Sequence, residues 1–311
     1  MTEQMLLPVS GDTIPLLPQD RPRTFSWTRA LTILLSLLVV AAALSQISTL
    51  DAASILDLVP SSPSFWVLFA LGFMAGPLSE WYIFNRLWGV GRPALGALTR
   101  KLVYNELLLG YLGEAWFYAW ARKNSQVEAA PFGAVKDVAV LSAMAGNVMT
   151  LVLIALAIPF LDLLPLGEHG AQIGWSLAFV VASSLAVMVW RKALFSLPAS
   201  ELRMVFAVHV ARILATTLIS AMLWNMVLPE TPIGWWLVLA AIRLLISRLP
   251  FVPNKDVVFA GVAVLAAGAH LEIAGLVAMM AGLILAANLI VGLGFSLIDL
   301  LTGERSDAPA R

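Results

Sequence analysis

The sequence predicts an all-α, polytopic integral membrane protein with about eight transmembrane helices plus one re-entrant or tilted segment. Three observations carry that expectation. Sixty per cent of the 311 residues are hydrophobic and 12% are charged, whereas a soluble domain is about 45–50% apolar and about 25% charged. The apolar runs reach the roughly 20 residues that a helix needs to cross a hydrocarbon core. Finally, all 19 Lys and Arg residues avoid four separate predicted loops.

Residues 1–28 are polar and carry Pro8, Pro15, Pro18 and Pro22, which reads as a disordered tail. The apolar stretch Ala30–Ile47 has a small-residue end like a secretory signal. Its length and the long polar region before it favour a retained helix. Further spans are expected at Phe65–Phe84, Val138–Phe160, Ile173–Trp190, Met204–Val227, Trp235–Leu249, Val257–Ala269 and Ile273–Leu300. Trp235–Leu249 and Val257–Ala269 are short for crossings; tilted helices and half-helices meeting inside the protein are both open. The membrane domain so defined covers 29–301, and 302–311 form a second tail. Trp27, Trp66, Trp175, Trp190, Trp224, Trp235 and Trp236 fall near predicted span ends, where an indole ring suits the interface.

Leu102–Ala121 is apolar enough to enter the bilayer yet carries Asn105, Glu106 and Glu114. A central acid facing lipid costs about 2.5 kcal/mol or more. A piece that dips in and returns, with its carboxylates toward a wet interior, avoids that cost. Charge supports this layout. If 102–121 returns to its own side, the loops at 49–63, 162–172, 228–234 and 270–272 share one face, without Lys or Arg but with Asp51, Asp57, Asp162, Glu168, Glu230 and Glu272. Basic loops stay cytoplasmic, so both tails are expected inside, with the protein in a plasma membrane such as the bacterial inner membrane.

Net charge is zero and the pI about 6.8, so no nucleic-acid partner is expected. There is no cysteine, and His169, His209 and His270 are scattered, so neither a metal site nor a cofactor is expected. No nucleophile elbow, phosphate loop or HExxH pattern is present, no catalytic residue is assigned, and the balance is against an enzyme.

Glu106, Gly110, Gly113 and Glu114 fall at i, i+4, i+7 and i+8, one stripe of a continuous helix, with Asn105 beside it. Such a stripe can line a polar cavity; ion pairs with Arg86 or Arg122 are the structural alternative. A second interruption, Arg248–Asp256, ends one helix on two prolines and opens another. There Asn254 and Asp256 can cap, and Arg248 and Lys255 can hold a phosphate or simply snorkel from a cytosolic turn. Lys136-Asp137 opens the helix from Val138, where a capping or an interfacial role is expected. Arg212, one turn after His209, and Arg243 lie inside predicted spans and suit an anionic headgroup or a buried carboxylate. Asn147, Asn225 and Asn288 are expected to hydrogen-bond between helices.

The run Glu106–Lys123 (ELLLGYLGEAWFYAWARK) resembles the first-half signature of the lysylphosphatidylglycerol-synthase-type, flippase-like transmembrane family. Gly113, Glu114 and Arg122 would be the counterparts of its Gly, Glu and following Arg. Gly110-Tyr111-Leu112 stand where that family has Pro and Arg. Leu249–Gly261 lies where its second glycine-rich stretch would fall, with Val252–Asp256 in place of that cluster. The resemblance covers roughly 30–300 in layout and implies lipid handling. The combined expectation is a carrier or binder of an amphipathic, anionic membrane lipid. Asn105, Glu106, Gly113 and Glu114 would line its cavity, Arg122, Arg248 and Lys255 would stand at a cytosolic entrance, and Arg212 or Arg243 would lie deeper. The alternatives are a proton-coupled transporter of a small polar solute, a membrane-embedded enzyme of lipid or glycan synthesis, and that enzyme's partner protein. Self-association is also open.

Overall fold

The computed structural model describes residues 59–108, 112–124, 131–163, 195–248, 254–267 and 270–302. The expected tails and the apolar stretches at 30–47 and 173–190 lie outside the described residues. Eight α-helices are described: α1 (Pro63–Trp88), α2 (Pro93–Leu107), α3 (Leu112–Asn124), α4 (Pro131–Ala157), α5 (Ala199–Val227), α6 (Ile233–Ile246), α7 (Lys255–Ala267) and α8 (Leu271–Thr302). A 3-10 turn at Ile158–Leu163 extends α4.

Helix ends follow local chemistry. The Ser62 hydroxyl accepts from the Phe65 amide at 3.4 Å, and Pro63 occupies the first helical position of α1. Gly89 closes α1 at φ +63°, its N–H donating to the Asn85 carbonyl at 2.8 Å. Pro77 inside α1 has no N–H for the Phe73 carbonyl.

Four helices are long and apolar enough to cross a membrane: Pro63–Trp88, Gly133–Leu163, Ala199–Val227 and Glu272–Asp299. By contrast α2, α3, α6 and α7 have 15, 13, 14 and 13 residues. At 1.5 Å per residue each is about 20 Å long, against a core of about 30 Å.

Their neighbours show where they reach. Arg100 midway along α2 pairs with Asp299, and Leu107 at its end packs with Leu285 and Leu289, halfway along α8. Helix α3 then returns, with Phe117 against Leu98 and Phe84. At the other end Gly234 of α6 faces Phe160 and Leu163, while Arg248 just beyond α6 crosses Gly146, halfway along α4. Helix α7 starts at that depth and leads back toward His270, whose ring meets Trp235 at 5.0 Å. The chain therefore runs long helix, half-length hairpin, long helix (α1, α2–α3, α4). It then repeats the order (α5, α6–α7, α8) with the second hairpin entering from the opposite end.

Three expectations are refined here. Leu102–Ala121 holds two helices, α2 ending at Leu107 and α3 starting at Leu112, so Glu106 and Glu114 do not share one continuous helical stripe. Of the two forms open for Trp235–Leu249 and Val257–Ala269, the structure has two short helices, α6 and α7, that pack on each other, and neither is among the four of spanning length. Arg248 and Lys255 consequently lie at mid-depth and not in a turn at the end of the bundle.

The ends differ in charge. Val59–Ser64, Ile158–Leu163, Leu228–Gly234 and His270–Ala274 carry Asp162, Glu230 and Glu272 without Lys or Arg; Arg86, Arg92, Arg122, Lys123 and Lys136 stand at the other end. Helices α1 and α5 run antiparallel between these ends, Gly72 meeting Ile219 and Ile83 packing with Val205.

An apolar core fills each end. One joins Phe65, Trp224, Trp235, Leu239 and Ile273; the other joins Phe84, Leu98, Phe117, Val138 and Val205. Trp224, Trp235 and Trp236 are buried, so they pack the core and do not form an interfacial belt. Asp137 does not cap α4, which Pro131 starts. Fully buried, it accepts from the Ser196 and Leu197 amides at 2.6 and 2.8 Å and ties α4 to the approach of α5.

Candidate functional site

A cavity of about 280 Å³ lies between the two cores, where the inner ends of the hairpins meet. Its polar lining comes from α2 (Glu106), α5 (Arg212, Thr216, Thr217, Ser220), α6 and its end (Arg243, Ser247, Arg248), α7 (Lys255, Asp256) and α8 (Asn288). Its apolar walls include Phe69, Phe73, Leu223, Trp224 and Met280.

Small residues keep it open. Gly72 and Gly76 of α1 are one turn apart on the lining; a Cβ at Gly72 would lie 3.1 Å from Ile219, whereas one at Gly76 would meet nothing within 4 Å. This Gly-x-x-x-Gly spacing, with Pro77 next to it, is a sequence signal for close helix approach that the reading of acids and arginines passed over.

The cations are held differently. Arg243 donates to Asp256 at 2.7 Å and to the Ser220 hydroxyl at 2.7 Å. Lys255 donates to the Ser247 carbonyl at 3.0 Å, and Arg248 to the Ser247 hydroxyl at 2.7 Å. The Arg248 guanidinium occupies the space a Cβ at Gly146 would need. Arg212 donates to the Ser142 hydroxyl at 3.1 Å. Asp256 is thus an ion-pair partner and not a cap. It is Asn254, at φ +48°, whose carbonyl accepts from the first turn of α7.

Glu106 lies on α2, outside the four spanning-length helices. Burial, reinforced by the Asp256 carboxylate, pushes its carboxyl up to about 7, against the pull of Lys255 and Arg243. Burial pushes the Lys255 ammonium below its ordinary value, and Glu106 opposes that shift.

Asn105, Gly113 and Glu114 belong to a second polar centre. Lys101 donates to Glu80 at 2.7 Å and stands 3.3 Å from Glu114. Asn105 donates to Glu114 at 3.2 Å and accepts from the Gly113 amide at 2.8 Å. A Cβ at Gly113 would overlap the Lys101 carbonyl, so glycine is what lets α3 lie against α2. His209 is fully buried near Lys101 and Arg212.

Of the nine expected binding residues, Glu106, Arg212, Arg243, Arg248 and Lys255 converge on the cavity. Asn105, Gly113 and Glu114 join helices beside it. Arg122 is exposed at the far end of α3 and does not reach it. Glu114 pairs with Lys101, not with Arg86 or Arg122. Asn288 bonds within its own helix, to the Ile284 carbonyl at 3.0 Å, with its side-chain oxygen unpartnered. Among the described residues no group of three acidic or histidine side chains is placed to hold a metal.

The site thus combines an excess of positive charge with an apolar wall, at mid-depth in a helical chain. No family model, curated protein or solved structure matches the chain, so its relationships rest on this architecture alone.

Proposed function

We propose that this protein binds the headgroup of an amphipathic, anionic lipid in the mid-depth cavity and carries it between leaflets, as a flippase-like carrier. The observation that carries the reading is the lining: four cations (Arg212, Arg243, Arg248, Lys255) against two carboxylates (Glu106, Asp256), with aromatic and aliphatic walls. Such a surface attracts an anion and tolerates a hydrocarbon chain. A volume of about 280 Å³ suits a headgroup rather than a whole lipid. The chains would then lie outside, along the exposed Leu71, Leu214 and Leu218 of α1 and α5.

Interrupted segments in corresponding places of two oppositely oriented halves, meeting near the bilayer midplane, are how carriers reach a site from both sides. On this reading both hairpins are re-entrant. The four helices of spanning length cross the bilayer, and the basic end with both tails faces the cytoplasm of a plasma (inner) membrane.

Reconstitution in liposomes with a fluorescent phosphodiester lipid and an impermeant quencher tests it. Wild-type protein should expose inner-leaflet label faster than a Glu106→Ala, Arg248→Ala double variant. Rates no different from empty vesicles would end the proposal.

One observation favours a second reading, a proton-coupled carrier of a small anionic solute. Glu106 faces the cavity with its carboxyl poised at about 7. That reading requires uptake of a soluble anion driven by a pH gradient, without lipid preference.

A further inference from the structure

Among the described residues Arg212 differs from Arg243 in having no carboxylate partner. Arg243 has Asp256 at 2.7 Å, whereas Arg212 has no carboxylate within ion-pair distance among the described residues. Its Nε is buried without a partner, and its one hydrogen bond is to the neutral Ser142 hydroxyl. The nearest acid is Glu80, which is already engaged by Lys101 at 2.7 Å.

A guanidinium carries five donors in a flat fork and cannot shed its charge, so a half-buried one facing a cavity without a carboxylate partner calls for an anion. Arg212, Thr216 and Ser220 stand at i, i+4 and i+8 on the cavity side of α5. The stripe ends at the Ser220–Arg243–Asp256 chain, which is internally neutralised.

We propose that Arg212 is the residue that receives the ligand's charge, taking two oxygens of a phosphate monoanion, while the Arg243–Asp256 pair is a fixed post at the other end of the stripe. The assignment rests on reading the cavity as a site for an anionic amphiphile. A phosphodiester fits the fork as a carboxylate does, and its two chains would leave past the Phe69–Phe73 wall.

The test is calorimetric titration of the full chain in mild detergent. The probes are dioctyl phosphate, whose single charge does not titrate near neutrality, neutral dioctanoylglycerol and inorganic phosphate. Wild type should bind dioctyl phosphate and not the diglyceride. Arg212→Gln should weaken binding by about tenfold or more, and Arg212→Lys should recover part of it. Without ligand, Arg212→Gln should melt at or above the wild-type temperature, because a half-buried charge with no carboxylate partner has been removed; a purely structural arginine would leave a less stable protein.

Wild-type affinity in Arg212→Gln overturns the assignment while leaving the cavity reading standing. Wild type that prefers neither probe overturns that reading. Binding of inorganic phosphate but not dioctyl phosphate, still dependent on Arg212, upholds the anion site and transfers it from a lipid to a soluble solute.

Discussion

The Asn254 backbone amide donates to the Glu106 carbonyl at 2.8 Å, joining the inner ends of the two half-length hairpins. Glu106 therefore sits at the seam between the halves, with its carboxyl among Lys255, Asp256 and Arg243. The carboxyl is raised from 4.5 to about 7, so the folded state holds this proton more tightly than the unfolded chain does. Its contribution to stability is complete below about pH 4.5 and is lost as pH climbs through 7.

The protonated acid also leaves the cavity more positive. Binding of dioctyl phosphate should be tighter at pH 6 than at pH 8, and Glu106→Gln should flatten that dependence. Titrations of both proteins across this range check it.

Asn254 adopts φ +48°, a left-handed conformation that costs most side chains about 1–2 kcal/mol. Asn254→Gly should melt within a few degrees of wild type, and Asn254→Val well below it. Thermal unfolding in detergent distinguishes the two.

Gly76→Leu should block the cavity without harming the fold. A Cβ there meets nothing within 4 Å, and replacing a helical glycine gains up to about 1 kcal/mol of helix propensity. The expected outcome is an unchanged or raised melting temperature with dioctyl phosphate binding abolished.

Gly113→Ala should do the reverse. Its methyl group would overlap a backbone carbonyl on α2, which cannot rotate away. A loss of about 1–3 kcal/mol is expected, read as a lower melting temperature. Ligand affinity, measured where the variant is still folded, should change far less.

Much of this was legible in the sequence. Helical class and the positions of the four long apolar helices followed from apolar run length, and the segregation of Arg86, Arg92 and Lys136 from Asp162, Glu230 and Glu272 followed from loop charge. Glu106, Arg212, Arg243, Arg248 and Lys255 stood out as charges among apolar residues, and the cavity gathers them. The pairing did not follow. Nothing in local spacing says that Lys101 takes Glu80 and Glu114, that Arg243 takes Asp256, or that Asp137 reaches Ser196; such contacts join distant helices and are decided by packing. Arg122 was drawn in by proximity to Glu114 in sequence, but α3 carries it to the end of the bundle. Glu106 and Glu114 fall on separate helices, α2 and α3, which their i, i+8 spacing does not show.

Each hairpin also leans on the other half: α2 packs on α8, and α6 on α4. Neither half encloses a complete interior by itself. Expressed as separate polypeptides, 1–163 and 195–311 should each be degraded alone and accumulate only when made together in the same cell.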